Sequence, residues 1–246
     1  RNTLLYIDHH PLPPGLDLTD FPAKVIHELA PCASELTYKT FQGRLPRRTS
    51  RIAVYGAIGD YADDTPFIRE LLKDWDKRTI YFEAGVLIQG LEGNRKDFGF
   101  KHDIVKLLSM NQLPSSSCEL LGRALTQTHE EEKILAKIEE TVRKIGEVAY
   151  VLDIEGSVSK AATYARVITE ASVGIAGETV KGIVDMSLRT ERDDLDLNAI
   201  LRDVTQRFGG TGGGHPKASG ARIPRNSFER FVEALNTSIT SQKIKS

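Results

Sequence analysis

The apolar positions of this chain alternate between strand-like and helix-like spacing along most of its length. At the start, the run Thr3-Leu4-Leu5-Tyr6-Ile7 is short, with a β-branched and aromatic bias, and predicts a buried strand. Helices are expected over Ala33–Phe41, Thr49–Ile58, Pro66–Trp75 and Thr79–Leu91, with loops rich in Gly, Asn, Pro and Ser over Gly93–Gly99 and Gln112–Ser117. A proline-free, charge-laced stretch follows from Glu119 to Glu147. Its Leu121, Leu125, Ile134, Leu135, Ile138, Val142 and Ile145 recur at near-helical spacing, which predicts one long helix packing a single face. Beyond Gly146 the pattern predicts strands over Val148–Ile154, Ser172–Ala176 and Val180–Leu188, with a turn at Gly177-Glu178. Helices are expected over Ala161–Glu170, Leu197–Phe208 (stopped by Gly209) and Asn226–Ile239. The expected fold class is therefore α/β in two lobes: a parallel-sheet lobe over residues 1–112, a connecting helix over 113–147, and a smaller α/β lobe over 148–246.

Composition narrows the partners. The 246 residues carry a formal net charge of −1, so no global basic field draws nucleic acid in, and any oligonucleotide must be held by a local patch or groove. That favours short single strands over long duplexes. The two cysteines, Cys32 and Cys118, form no C-x-x-C pair and no disulfide framework, which fits a reducing cytoplasm. No apolar run approaches the roughly twenty residues that span a bilayer. The heptad pattern in the long helix is too brief to establish a coiled-coil dimer arm.

Three places carry candidate chemistry. Asp8-His9-His10 directly follows the first predicted strand, where open α/β sheets gather ligands. A carboxylate and two imidazoles suit manganese, iron or zinc better than calcium; the structural alternative is a polar turn into Pro11-Leu12-Pro13-Pro14-Gly15. The second place is Gly209-Gly210-Thr211-Gly212-Gly213-Gly214-His215-Pro216-Lys217, which matches neither the P-loop nor the dinucleotide-binding spacing. Its glycines allow backbone N–H groups to approach an anion, and His215 and Lys217 can donate to phosphate; a plain linker is the alternative, as is a solvating role for Lys217. The third is Asp60, which follows an apolar run, whereas Asp63 or Asp64 is expected to cap the helix starting at Thr65-Pro66. Asp194 and Asp196 stand in a helix-start context. His27 reads as structural, His102 and His129 as surface, and Trp75 and Phe82 as core.

Taken together, Asp8-His9-His10, Gly59-Asp60, Ser187-Leu188-Arg189 and GGTGGGHPKASG resemble the DHH phosphoesterase family, in the branch with a DHH-associated C-terminal domain. That branch includes RecJ-like nucleases, nano-RNases and cyclic-dinucleotide phosphodiesterases. The resemblance implies a metal-dependent phosphodiesterase or exonuclease acting on single-stranded or short oligonucleotides, with two divalent ions, manganese first and magnesium or another divalent ion as substitute. It makes His9 and Asp60 metal ligands, turns His10 toward the scissile phosphate and gives Asp8 the task of orienting an imidazole. Arg189, Gly212, Gly213, Gly214 and His215 become the grip on a terminal phosphate or end nucleotide. The alternative is a non-catalytic replication or repair scaffold related to RecJ, with a homodimer or a replication or repair protein as partner. An inorganic pyrophosphatase is disfavoured by the glycine signature.

The resemblance also implies an upstream H-x-D-x-D-like element and a further aspartate on a second strand, and neither is found. The chain is therefore expected to lack roughly the first quarter to third of a longer protein, and alone to bind metal weakly.

Overall fold

The structure, a computed structural model, describes residues 4–12, 15–18, 22–93 and 96–243. Thr3 of the expected first strand, Pro13 and Pro14 of the proline turn, and Asn94 and Arg95 of the expected 93–99 loop lie outside them. The chain divides into two compact units, Arg1–His129 and Glu130–Ser246.

In the first unit, β1 (Leu5–Asp8) and β2 (Lys24–His27) pair in parallel, with Asp8 opposite His27 at their carboxyl ends. Helices follow: α1 (Ala33–Phe41), α2 (Ser50–Gly59), α3 (Pro66–Leu72), α4 (Lys77–Glu92) and α5 (Phe98–Ser109). Their starts obey capping chemistry. The Thr65 hydroxyl accepts from the Ile68 N–H with Pro66 at the first helical position, so Thr65, not Asp63 or Asp64, caps α3. Asp76 caps α4 and Asp97 caps α5. The last of these corrects the expected loop, since α5 begins inside it at Phe98. The core of this unit gathers Val54, Tyr55, Ile80, Ala84, Ile104 and Leu120. Trp75 packs half-buried against it, its indole N–H donating to Ser50 Oγ at 3.2 Å, although it lies past the end of α3. Phe82 is not core but 55% exposed: it sits two residues after buried Ile80, about 200° round the helix and away from the apolar stripe.

The helix α6 (Cys118–Thr141) runs across the division between the units. It stops at Thr141 rather than Glu147. Arg143–Ile145 is instead an edge strand, β3, turned through Gly146 (φ +57°) onto β4 (Val148–Leu152). The second unit adds α7 (Val158–Thr169), β5 (Val173–Val180), β6 (Ile183–Thr190), α8 (Leu197–Val204), β7 (Thr211–Gly214), β8 (Ala218–Pro224) and α9 (Phe228–Lys243). The sheet order is β3-β4-β5-β6-β8-β7, with β4 and β5 parallel and every other pairing antiparallel. Gly177-Glu178 lies inside β5, and the reversal comes at Lys181-Gly182, both at positive φ. A 3-10 turn extends α8 to Phe208 and ends at Gly209 in the left-handed conformation (φ +67°), as the sequence predicts.

This sheet is covered on both faces. Val184, Met186, Leu188 and Ile223 pack with Phe228 and Phe231 in one cluster. Ala161, Ala162 and Ala165 of α7 pack with Ala149, Val151 and Ala176 in another. The fold class is thus α/β in two units, but the sheet balance differs from expectation. The described residues of the first unit hold only a two-stranded parallel pair, and the larger sheet is mostly antiparallel and belongs to the second.

Candidate functional site

Strand alternation places Tyr6 and Asp8 on one face of β1, and the Tyr6 hydroxyl donates to Asp8 Oδ2 at 2.7 Å. The other carboxylate oxygen accepts from the His9 N–H at 2.8 Å and meets His10 Nδ1 at 2.7 Å. These contacts, His10 first and then the Tyr6 hydroxyl and the backbone N–H groups, hold the Asp8 carboxyl well below the ordinary carboxylate range. With Nδ1 turned onto Asp8, the basic site of the His10 ring is Nε2. The His9 and His10 rings meet edge to face, with centroids 4.6 Å apart. His27 closes the arrangement from β2, its Nε2 standing 2.8 Å from the His10 carbonyl oxygen. That is a structural contact to backbone.

Asp60 arrives from α2. Gly56 lets this helix approach α1 closely, because a Cβ there would stand 2.3 Å from Ser34 Oγ and 2.6 Å from Ser34 Cβ. The helix then ends abruptly. Tyr61 takes the left-handed conformation (φ +55°), and the Ala62 N–H returns to the Ala57 carbonyl at 2.8 Å. Asp60 thus projects from the last turn, and its Oδ2 lies 3.5 Å from His9 Nε2. His9 is 12% exposed and Asp60 49%, so the pair is rooted in the unit yet open to solvent. An imidazole nitrogen and a carboxylate oxygen at this separation can bind the same divalent ion, and the mixed nitrogen–oxygen donor set fits manganese, iron or zinc. Asp8, whose two oxygens already accept from the His9 N–H and the Tyr6 hydroxyl and meet His10 Nδ1, fits the supporting role instead.

The residues singled out in the second unit lie around β6, β7 and β8. Arg189 pairs with Ala218 and Ser187 with Gly220, so these four share one half-exposed face, while Met186, Leu188, Ser219 and Ala221 between them are buried on the other. The Arg189 guanidinium donates to the Leu188 carbonyl and to Ser159 Oγ. Gly212–Gly214, expected in an open loop, form the edge strand β7 instead. Gly214 has φ +146°, and a Cβ there would stand 2.9 Å from the Ala218 carbonyl, so a side chain is excluded twice over. His215 opens a tight turn in which its N–H donates to the Ala218 carbonyl at 3.0 Å. The turn is pinned from both sides: the Thr190 N–H donates to Lys217 O and the Leu197 N–H to Pro216 O. Lys217 forms an ion pair with Asp193 at 2.6 Å, and Asp196 caps α8. His102 and His129 are exposed.

The sequence reading missed Tyr6 and Ser159. Period-two spacing from Asp8 was a signal for Tyr6, and nothing in the sequence marked Ser159.

Residues 148–241 match the family model of the DHHA1 domain. The chain carries a DHHA1 domain in a DHH-family fold. The solved structures it resembles include a DHH domain described as a member of the s1p family of ribosomal proteins (TM-score 0.68, 14% identity, 96% of this chain and 63% of that one). RecJ from Thermus thermophilus in complex with Mn2+ is similar over 97% of this chain and 41% of its own (TM-score 0.64, 15% identity). The pGpG-specific phosphodiesterase PggH from Vibrio cholerae is similar over 87% and 74% (TM-score 0.57, 16% identity). The chain thus spans less than two thirds of the first of these proteins. No curated protein matches it. The DHHA1 match covers β4 through most of α9, and so includes Arg189, the glycine strand and His215. Among the described residues, no helix is long and apolar enough to cross a membrane.

Proposed function

We propose that this chain belongs to a metal-dependent hydrolase, a phosphodiesterase or exonuclease acting on single-stranded or short oligonucleotides. The observation that carries this reading is the approach of His9 Nε2 to Asp60 Oδ2, beside a His10 ring held by Asp8. His9 and Asp60 hold the divalent ion, manganese in the first instance. When bound, the ion neutralises phosphate charge and acidifies a water molecule. Asp8 fixes the His10 ring so that Nε2 is presented to the phosphate. Within the DHHA1 domain, the Arg189 fork, preset by Leu188 O and Ser159 Oγ, takes a phosphate group, and Gly212, Gly213, Gly214 and His215, from the far side of β8, complete the grip. RecJ with Mn2+ and a pGpG-specific phosphodiesterase among the structures of similar fold support the metal and the substrate class.

The test is a manganese titration, read by the electron paramagnetic resonance of the ion, on the wild-type chain and on His9→Ala and Asp60→Asn. It runs beside hydrolysis of end-labelled RNA and DNA. Weak binding that either substitution removes, and phosphodiester turnover lost with it, is the expected result. Manganese binding indifferent to both substitutions overturns the reading.

A further inference from the structure

The segment Arg44-Leu45-Pro46-Arg47-Arg48-Thr49-Ser50-Arg51 places four arginines within eight residues. Between Glu28 and Asp60 the only acidic residue is Glu35. Glu35 is 1% exposed and spent on Lys39 and the Thr65 hydroxyl, so it does nothing to balance the segment at the surface.

The four arginines divide into two kinds. Arg47 is engaged fork to fork with Asp74, its Nε donating to Oδ2 at 3.2 Å and its Nη2 to Oδ1. Arg51 donates from Nε to Asn111 Oδ1 at 3.0 Å and from Nη2 to the Asn111 carbonyl, at the left-handed residue that follows α5. These two staple the segment to α5 and to the turn after α3. Arg44 and Arg48 are exposed, and among the described residues no carboxylate lies within ion-pair reach of either. The segment leads into the N-terminus of α2, a ten-residue helix with no acidic residue in its first turn and no side-chain cap. Arginines at that end oppose the helix dipole, and their positive charge adds to its positive end. The arrangement is therefore unfavourable for the helix alone and favourable for an anion.

We infer that Arg44 and Arg48, on this stapled segment, form a second nucleic-acid surface that holds the phosphate backbone of a single strand. It acts beyond the end-gripping role assigned to the DHHA1 domain. Planar guanidinium forks match phosphate oxygens, and repeated phosphates suit two free forks on a rigid support. Because guanidinium contacts to phosphate carry no sequence information, the surface is indifferent to sequence, and its contribution is electrostatic and salt-dependent.

The experiment is fluorescence anisotropy without divalent metal, using labelled single-stranded RNA and DNA long enough to span many phosphates, and a dinucleotide. The proteins are the wild-type chain, the double variant R44E/R48E and the charge-conserving R44K/R48K. For the long strand, the glutamate variant is expected to lose about tenfold or more in affinity, and its log–log salt slope to fall by about 1.4 for two lost phosphate contacts. The lysine variant keeps the slope, and dinucleotide binding stays unchanged in all three. Equal long-strand affinities for wild type and the glutamate variant overturn the inference, as does a parallel loss on the dinucleotide. Arginine-dependent capture by anionic vesicles without strand binding overturns it in favour of a membrane surface. Wild-type binding of the long strand without any hydrolysis in manganese would instead defeat the proposed activity and leave this surface standing.

Discussion

The Asp8 carboxylate holds the His10 ring through a 2.7 Å contact between Oδ1 and Nδ1, and its other oxygen accepts the Tyr6 hydroxyl at the same distance. An amide in its place keeps the shape but loses the charge and one acceptor. Asp8→Asn is expected to lower manganese affinity or turnover by about 10–100-fold, the range typical of outer-shell partners in metal sites. Wild-type affinity and turnover in the variant would show that the His10 ring needs no such support.

Gly56 sets how close α2 lies to α1. Alanine in a helix interior is favoured over glycine by about 1 kcal/mol. At Gly56 the new methyl overlaps Ser34 Oγ and Cβ, at 2.3 and 2.6 Å, and overpacking of this kind costs about 1–3 kcal/mol. Gly56→Ala is therefore expected to destabilise the fold and to weaken manganese binding as Asp60 shifts. Gly85→Ala in α4, where nothing lies within 4 Å, serves as the comparison and is expected to stabilise. Urea unfolding of the two variants decides it: equal midpoints would mean that the α1–α2 approach tolerates the methyl.

Tyr55 is 2% exposed, and burial pushes its hydroxyl up to about 12. An acid whose folded value is raised keeps its proton longer in the folded state. Its stabilising contribution is complete below the ordinary tyrosine value near 10 and is lost as pH rises toward 12. The wild-type chain should lose about 2 kcal/mol more than Tyr55→Phe across that interval. Thermal melts at paired pH values test this, and parallel curves for the two proteins would refute it.

Glu83 is 3% exposed and accepts both the backbone N–H and the hydroxyl of Ser115, at 2.8 and 2.6 Å. Glutamine would turn an NH2 group toward one of these donors. Glu83→Gln should cost about 1–3 kcal/mol, the penalty for a buried donor left unmet. A urea midpoint equal to wild type would mean that the amide finds another arrangement.

Legibility followed side-chain pattern. α1 was read at its observed limits, Ala33–Phe41, because its apolar spacing was not interrupted. β7 escaped notice because Gly212, Gly213 and Gly214 have no side chains to alternate, and β8, rich in small residues, went with it. Gly177 looked like a turn but sits in β5 under Val184 and Met186, where a Cβ would stand 2.7 and 3.1 Å away. Arg143–Ile145 looked helical until a partner strand, absent from any local window, claimed it. At the candidate site, the sequence marked His9 and Asp60 separately. It could not show that Tyr61 ends α2 where Asp60 faces His9, because a left-handed tyrosine has no sequence signal.

The contacts that set Asp8 all come from residues 6 to 10, so this corner costs almost no loop-closure entropy to assemble. Asp60 is different: it reaches His9 across a long loop that holds β2, α1 and α2. One half of the candidate ion site therefore rests on local contacts, and the other on long-range ones. Ion affinity in this unit would then act as a gauge of how completely α2 has docked, rising and falling with long-range order while the Asp-His-His corner stays as it is.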